Sequence, residues 1–299
     1  MPERFSLRWI VEKEDTGKLL REFLVKKKVS KTALTDIKFK GGKIQVNNEE
    51  VNVRYILKLN DEIIVSFPPE QASEQLKGER IPIEIVYEDD YLLVVNKPAG
   101  MSTIPSREHP QGSLANAIVA HYEQSGHGAT VHIVTRLDRD TSGLVLIAKH
   151  RHIHHLFSLD QRQNKVKRTY TALVEGDLFP LEGQIIAPIG RMDTSIIQRE
   201  VRADGQYACT NYKVIRTFQG FSVVELRLLT GRTHQIRVHM SYMGHPLLGD
   251  DLYGGPVNEL TRQALHCTSL SIKHPVTEEC MSFKSSLPVD MSTILKRLL

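Results

Sequence analysis

Hydrophobic positions near the start of the chain follow first the period of a helix and then that of a strand. Residues 16–28, TGKLLREFLVKKK, place four apolar side chains on one helical face, with lysine and arginine opposite. Ser30 is a favourable cap for a second helix over residues 31–39, which a Gly-Gly pair ends. Short strands are predicted at residues 43–46 and 62–67, where a Pro-Pro pair follows.

Beyond residue 80, strand and helix patterns mix without a regular alternation. Runs rich in β-branched residues predict seven strands, at 83–87, 92–96, 144–149, 169–175, 208–215, 222–229 and 264–272. Apolar positions at helical spacing predict four helices, at 113–122, 151–160, 233–243 and 290–298. Many strands with few crossover helices indicate an α+β fold with a mixed, largely antiparallel sheet.

The composition between these two regions indicates a domain boundary. Residues 70–80, EQASEQLKGER, are polar and nearly free of large apolar side chains, which is typical of a linker. We therefore predict a small α/β domain at residues 1–69, this linker, and a larger domain at residues 81–299. A polar linker also predicts few contacts between the two domains.

Composition of the whole chain narrows the class of protein. With 40% hydrophobic and 25% charged residues among 299, it is that of a soluble globular protein. The longest apolar runs are strand-sized, and the first nine residues lack the hydrophobic core of a signal peptide. We therefore expect no membrane association and a cytoplasmic location. Three widely spaced cysteines without a CxxC pair argue against disulfides and a zinc ribbon.

The net charge of +4 lies in the N-terminal part, since residues 1–68 carry 14 Lys and Arg against 10 Asp and Glu. Between residues 18 and 43, nine basic side chains accompany only two acidic ones. Such a local excess of positive charge attracts a polyanion. The alternative is a solvated helix face, which has the same composition. Candidate contacts to RNA in this cluster are Lys18, Arg21, Lys31, Lys38 and Lys43.

A polar loop before the strand predicted at 144–149 is the first candidate for chemistry. Residues 135–144 read TRLDRDTSGL, so charged side chains stand at the edge of a rigid strand, a common location for catalytic groups. The same residues are also good turn formers, and on spacing alone a tight turn is the favoured interpretation.

Two downstream segments are further candidates. Residues 165–170, KVKRTY, join basic side chains to Tyr170, which suits single-stranded RNA or, alternatively, an edge strand protected by lysines. Residues 230–240, TGRTHQIRVHM, predict a helix with Ile236 on its apolar stripe. Arg237 stands at the border of that stripe, either within reach of a partner carboxylate or on the surface.

Together, four separated blocks resemble the RluA family of pseudouridine synthases over about residues 81–275. The blocks are RLDRDTSGL (136–144), KRTYTALVEG (167–176), DGQYACTNY (204–212) and GRTHQIRVHMSYMGHPLLGDDLYG (231–254), in the family's order. The family's signature loop reads HRLDxxTSG, so Thr135 replaces the usual histidine. Threonine offers less for positioning the loop or contacting phosphate, and we expect the change to be tolerated because Arg136, Leu137 and Asp138 are intact.

The resemblance implies an isomerase that breaks the N1–C1′ bond of a uridine in RNA and rejoins the base through C5. In the family, the residue matching Asp138 is the catalytic carboxylate, as a nucleophile or in ribose deprotonation, and the arginine matching Arg237 stabilises its charge. Tyr170 matches the aromatic residue that stacks on the target base, Arg136 the arginine that enters the RNA stack, and Ile236 a residue of the uracil pocket. Nothing is transferred from outside, so we expect no cofactor and no metal.

The N-terminal domain resembles an S4 RNA-binding module. The matching features are GKL at 17–19, Ser30, the glycines at 41–42, VN at 46–47 and NDEIIV at 60–65. We therefore expect RNA as the partner, with large-subunit ribosomal RNA favoured over transfer RNA, and a monomeric enzyme.

Other functions fit parts of the pattern. A non-catalytic RNA-binding or ribosome-assembly factor would share the fold, but the joint presence of Asp138, Tyr170 and Arg237 argues against it. A nucleoside hydrolase would break the same bond and release uracil. Four histidines within residues 150–155 lack a Cys or carboxylate at ligand spacing, which favours surface or phosphate contacts over a metal site.

Overall fold

In the computed structural model, which describes residues 5–70, 76–106, 109–127 and 130–297, the N-terminal unit has its own sheet and core. Its elements are β1 (Ser6–Ile10), a 3-10 helix (Lys13–Asp15), α1 (Leu20–Lys26), α2 (Lys31–Phe39), β2 (Lys43–Val46), β3 (Glu49–Glu50) and β4 (Glu62–Ser66). The strands pair antiparallel in the order β1-β4-β2-β3. Apolar side chains of both helices, Phe23, Leu24 and Ile37 among them, form the core with Ile63 and Val65 of β4.

The cap predicted at Ser30 is confirmed, since its Oγ accepts a hydrogen bond from the Ala33 amide at 3.1 Å. The helix predicted over residues 16–28 is shorter than expected. Its first turn is replaced by extended backbone at Leu19, whose amide donates to Glu22 Oε2 at 3.3 Å.

The larger unit is built on a ten-stranded sheet. Its first half comprises β5 (Glu84–Glu88), β6 (Leu92–Lys97), α3 (Leu114–Ser125), β7 (His132–Ile133), β8 (Ser142–Ala148), α4 (Arg151–Arg162) and β9 (Lys167–Glu175). Next come β10 (Glu182–Ile186), β11 (Ile189–Arg191), β12 (Arg199–Val201), β13 (Cys209–Phe218), β14 (Phe221–Leu228) and α5 (Gln235–Tyr242). A 3-10 helix (Asp251–Tyr253), β15 (Leu265–Lys273), β16 (Cys280–Lys284) and α6 (Val289–Lys296) complete it.

The sheet has the order β10-β13-β14-β9-β15-β8-β6-β5, with β16 added to β15 and β7 to β8. β15 pairs with β8 in parallel, whereas its pairing with β9 and the pairing of β6 with β8 are antiparallel. The predicted α+β fold with a mixed, largely antiparallel sheet is confirmed. All seven residues of β8 are buried, so the polar loop that precedes it is attached to the rigid centre of the sheet.

Aromatic contacts join the two units, which corrects the expectation of few contacts between them. Phe5 stacks on His150 with ring centroids 3.9 Å apart, and Phe67 stacks on His152 at 4.9 Å. These two histidines therefore lie in the contact between the units, which also corrects their assignment to the surface or to phosphate.

Polar contacts reinforce the same interface. The Arg151 amide donates to Glu70 Oε1 at 2.6 Å, and its guanidinium lies 3.7 Å from Asp36 of α2. Of the predicted linker 70–80, residues 71–75 lie outside the described residues. Its later part is anchored rather than free, because the Glu79 amide donates to the Asn116 carbonyl of α3 at 3.0 Å.

The buried His152 makes the interface sensitive to acid. Burial lowers the pKa of His150 and of His152 to about 4, and neither ring nitrogen of His152 has a hydrogen-bond partner among the described residues. When the units separate or unfold, each histidine regains a pKa near 6.5, so the open state binds more protons below that pH. Stability is therefore lost as pH falls from about 6.5 towards about 4.

Replacing His152 with leucine should reduce this loss. We expect His152→Leu to match or exceed the wild-type Tm at about pH 7.5, and its advantage to grow at about pH 5. Thermal unfolding across that range measures the effect. His155→Leu, which alters a partly exposed neighbour, is the control. Equal losses of Tm on acidification in His152→Leu and wild type would contradict the interpretation.

Candidate active site

A cavity of about 900 Å³ lies where the loop before β8, the start of β9 and the segment between β14 and α5 meet. Asp138 comes from the first segment and Tyr170 from the second, while Ile236 and Arg237 stand in the first turn of α5, directly after the third. Arg136 also lines the cavity, and its side chain is exposed. The structure thus brings together all five candidate residues of the larger unit, in a space sized for a small molecule or a single nucleotide.

The carboxylate of Asp138 faces the cavity with a cation behind it. Asp138 Oδ2 lies 3.6 Å from Arg237 Nη1 and 3.9 Å from His234 Nε2. The Asp138 side chain is 30% exposed, whereas that of Arg237 is only 7% exposed. Burial lowers the pKa of His234, so Arg237 is the permanent positive charge beside Asp138.

A second carboxylate fixes Arg237. Asp250, which is 1% exposed, accepts two hydrogen bonds of 2.7 Å, from Arg237 Nε and Nη2. Burial opposes the charge of Arg237, but the bonds and charge of Asp250 outweigh it and hold the pKa of Arg237 above its usual value. Because this bidentate pair sets the guanidinium plane, Nη1 is left to face Asp138.

His234 and Tyr253 complete this wall of the site. His234 has a positive φ of 56° at the start of α5, and its Nδ1 lies 2.8 Å from the hydroxyl of Tyr253. The Tyr253 ring lies 4.8 Å from the Arg237 guanidinium carbon. Packing by the ring and hydrogen bonding by the hydroxyl therefore limit the movement of both Arg237 and His234.

Hydroxyl groups hold the loop that carries Asp138. Thr103 Oγ1 donates to the Leu137 carbonyl at 2.7 Å and accepts from the Leu137 amide at 3.1 Å. Thr135 is 1% exposed, and its Oγ1 accepts from the Leu146 amide of β8 at 2.9 Å. Threonine at 135 therefore positions the loop, a role that we expected it to fill less well than histidine.

Lys97 ties the other side of the loop. Its Nζ is fully buried and donates to three carbonyls, of Pro98 at 2.9 Å, Met101 at 2.7 Å and Arg139 at 3.0 Å. Burial lowers the pKa of Lys97 to about 7, although the negative charges of Asp138 and Asp140 oppose this shift. Three carbonyl acceptors match the three protons of an ammonium, so these contacts favour the charged form.

Tyr170 forms an apolar surface with a polar edge. The residue is 3% exposed, and burial raises its pKa, although Arg168 opposes the shift. Arg168 Nη1 donates to the Tyr170 hydroxyl at 3.3 Å. The phenol is therefore neutral near pH 7, and its position is fixed by both strand pairing and a cation.

Comparison with known proteins decides the family. A model of the RNA pseudouridylate synthase family matches residues 91–242. An uncharacterized RNA pseudouridine synthase of Bacillus subtilis (strain 168), YjbO, is 53% identical over 277 residues, which are 93% of this chain and 98% of that protein. The chain belongs to the RNA pseudouridylate synthase family. It is an isomerase that acts on RNA.

Two further relatives extend the comparison. The synthase is 36% identical over 273 residues to ribosomal large subunit pseudouridine synthase D of Pseudomonas aeruginosa, covering 87% of this chain and 85% of that one. Among solved structures, human RNA pseudouridylate synthase domain containing 4 aligns with a TM-score of 0.59 and 25% identity. That alignment covers 72% of the synthase and 92% of the human chain. The resemblance to the RluA family is confirmed.

The basic candidates of the N-terminal unit stand apart from this cavity and differ in their pairing. Lys18 is bonded to Asp15 at 2.8 Å, and Lys43 lies 3.7 Å from Glu50. The side chains of Arg21, Lys31 and Lys38 are exposed. Within the described part of the chain these three have no ion pair, so theirs are the least compensated charges of the five.

The sequence did not identify Asp250, Lys97, Thr103 or His234 as site residues. Asp250 and His234 stand in the block 231–254, so a search for a carboxylate partner of Arg237 would have included Asp250. Lys97 is the last residue of β6 and precedes a proline, which gives no sign of its contact with the loop at Arg139. No group of three or more metal-ligating side chains occurs in the described residues, and none of their helices is long and apolar enough to cross a membrane.

Proposed function

We propose that the synthase converts specific uridines of large-subunit ribosomal RNA to pseudouridine, with Asp138 as the catalytic carboxylate. The observation that carries this assignment is the placement of Asp138 on the cavity wall, 3.6 Å from the buried guanidinium of Arg237. An aspartate so placed has a fixed positive charge on one side, while its other side remains open to a substrate.

The reaction needs little more than this carboxylate and an enclosed pocket. The N1–C1′ bond breaks, a C5–C1′ bond forms, the C5 hydrogen leaves as a proton and N1 gains a proton. Atoms and electrons balance without an external group. Asp138 faces the ribose, either attacking it or removing a proton from it, while Ile236 and the Tyr170 ring retain the detached base.

A uridine must leave the RNA stack to reach this cavity. Arg136 is exposed on the lining of the cavity, and within the described residues it makes no ion pair. Its planar guanidinium can fill the gap left in the stack, which offsets part of the cost of unstacking.

The choice of ribosomal RNA rests on two supports. Relatives 36% and 37% identical to the synthase, from Pseudomonas aeruginosa and Vibrio parahaemolyticus, are named ribosomal large subunit pseudouridine synthase D. The N-terminal unit adds a basic surface suited to a structured RNA.

Mapping of pseudouridines in total RNA from cells with and without the gene tests the substrate. We expect one or more large-subunit positions to lose pseudouridine in the deletion and to regain it with wild-type protein but not with Asp138→Asn. Loss confined to transfer RNA would assign that substrate instead. An unchanged map would overturn the proposal.

We further propose that the N-terminal unit is an S4-like RNA-binding domain and that one face of α2 contacts RNA. Four exposed side chains fall within about a third of the circumference of α2: Lys31, Thr35, Lys38 and Phe39. The buried Ile37 lies on the opposite side of the helix. Phe39 is 80% exposed, an unusual fraction for so large an apolar ring. An aromatic ring among cations suits a base and its phosphate.

Phe39→Ala should weaken binding of RNA with unpaired nucleotides by roughly ten-fold, as expected from the loss of one base-stacking contact. Phe39→Tyr should bind as wild type does. Ile56→Ala, which removes another exposed apolar side chain of the same unit, is the control. Filter binding or fluorescence anisotropy measures the affinities. Equal affinity of Phe39→Ala and wild type would show that α2 is only a solvated face.

A further inference from the structure

The residues just after Asp138 are held in register by a segment far along the chain. Gln263 Nε2 donates to Thr141 Oγ1 at 3.2 Å, and the next residue, Ser142, bonds through its Oγ to His266 Nδ1 at 2.8 Å. Gly143 lies so close to Cys267 that an added Cβ would stand 2.4 Å from the Cys267 carbonyl oxygen. Segment 262–267 therefore packs against residues 141–143, where the loop of Asp138 ends, and limits their movement.

Arg262 adds a contact to the residue before Thr141, and its guanidinium binds two different partners. Its Nη1 donates to the Asp140 carbonyl at 3.1 Å and to the Gln263 carbonyl at 3.0 Å. Its Nε and Nη2 donate to the carboxylate of Asp290 at 2.6 Å and 2.9 Å. Asp290 stands in the first turn of α6, so one side chain links the C-terminal helix to the loop of Asp138.

The position of the Asp140 carbonyl affects the position of Asp138, because both residues belong to one turn. The Thr141 amide donates to the Asp138 carbonyl at 3.1 Å, so Asp140 lies inside a turn that begins at Asp138 itself. If Arg262 releases the Asp140 carbonyl, the turn can rotate and carry the Asp138 carboxylate with it. Misplacement of a reacting group by about 1 Å can lower a rate on the order of 100-fold.

We propose that the Arg262–Asp290 pair is a positioning device for Asp138, through which α6 contributes to catalysis without touching the substrate. Both residues lie outside residues 91–242, the part of the chain that the family model matches. The proposal rests on the assignment of Asp138 as the catalytic carboxylate.

A lysine at 262 is the sharpest test because it keeps the charge but has a single nitrogen. It can pair with Asp290, but its one nitrogen cannot stand at both positions from which Arg262 reaches its partners, Nη1 for the Asp140 carbonyl and Nε with Nη2 for the Asp290 carboxylate. We expect Arg262→Lys to lower the single-turnover rate at saturating enzyme at least ten-fold. RNA affinity should stay within about two-fold of wild type, since binding is spread over many phosphate contacts.

Asp290→Asn is the second variant and tests the remote half of the pair, with an expected loss of a few-fold or more. Arg297→Ala is the matched control, because it breaks the exposed contact of Arg297, the residue directly after α6, with Glu259 at 3.4 Å and leaves Asp290 in place. It should turn over as wild type does. Tm is measured for all variants, and rates are compared well below the lowest Tm.

Three outcomes would overturn the proposal: a wild-type rate in folded Arg262→Lys, a wild-type rate in Asp290→Asn, or an equal loss in Arg297→Ala. The last would show that the docking of α6, rather than the link to Asp140, matters. Asp138→Asn separates this proposal from the function on which it rests. If Asp138→Asn is active, the assignment of Asp138 is wrong; if it is inactive while Arg262→Lys is normal, only the positioning role is wrong.

Discussion

Asp138→Asn is expected to abolish isomerisation, leaving no more than a few per cent of the wild-type rate, while RNA affinity stays within a few-fold. The amide nearly matches the carboxylate in shape, so the cavity and the turn at residues 138–141 are retained. It carries no negative charge, however, and can neither attack the ribose nor accept a proton from it. Binding depends instead on contacts spread along the RNA backbone.

Release of tritium from RNA containing uridine tritiated at C5 measures this effect, because the C5 hydrogen is lost only when the base is rejoined through C5. Asp140→Asn is the matched control. It removes a carboxylate two residues away whose side chain lies 3.8 Å from Arg139 and does not line the cavity. Substantial turnover by Asp138→Asn, or an equal loss in Asp140→Asn, would remove Asp138 from its catalytic role.

Arg237→Met is expected to reduce the rate on the order of 100- to 1,000-fold, the range found when one preorganised electrostatic contact is lost. The variant removes the cation 3.6 Å from Asp138. It also leaves Asp250 buried without its partner, which should destabilise the fold by about 3–5 kcal/mol. Rates are therefore measured at a temperature where unfolding experiments show the variant to be folded.

Two further variants test whether the loss of rate is specific to the charge and geometry of Arg237. Arg237→Lys keeps the charge but loses the bidentate contact with Asp250, so we expect an intermediate rate. Arg232→Met removes an arginine that also lines the cavity but donates to the Tyr207 carbonyl, and its chemical step should be normal at saturating RNA. If excess RNA restored full turnover to Arg237→Met, Arg237 would serve in binding rather than in catalysis.

The core elements of the fold follow from the sequence because their patterns are local. The strands of residues 92–97 and 142–148 contain the continuous apolar runs LLVV and LVLIA, and α2 has a cap at Ser30. β1 was not predicted, since its alternation spans only five residues, with Leu7 the only buried side chain and Ile10 exposed. The contact between the units was also missed. Its aromatic side chains come from separate segments of the chain, and only the tertiary structure brings them together: Phe5 with His150, and Phe67 with His152.

In the active site, too, the sequence predicts residues within local motifs but not the partners that tertiary structure brings to them. Asp138, Tyr170 and Arg237 were predicted because each stands in a block that resembles the family, and the structure places all three on one cavity. Burial of Arg237 was not foreseen, because a position at the border of an apolar stripe is compatible with either surface or interior. Its partner Asp250 lies 13 residues away on another segment, so the pair depends on tertiary structure.

The most direct test of the account combines both products of the chemistry in one reaction. RNA from cells that lack the gene, labelled with uridine tritiated at C5, is incubated with purified wild-type protein and then digested to nucleosides. With wild-type protein we expect the tritium released to equal the pseudouridine formed, with no free uracil, and with Asp138→Asn we expect neither product. Free uracil with abasic sites would identify a hydrolase, and RNA binding without tritium release would identify a non-catalytic factor; either result would contradict the assignment.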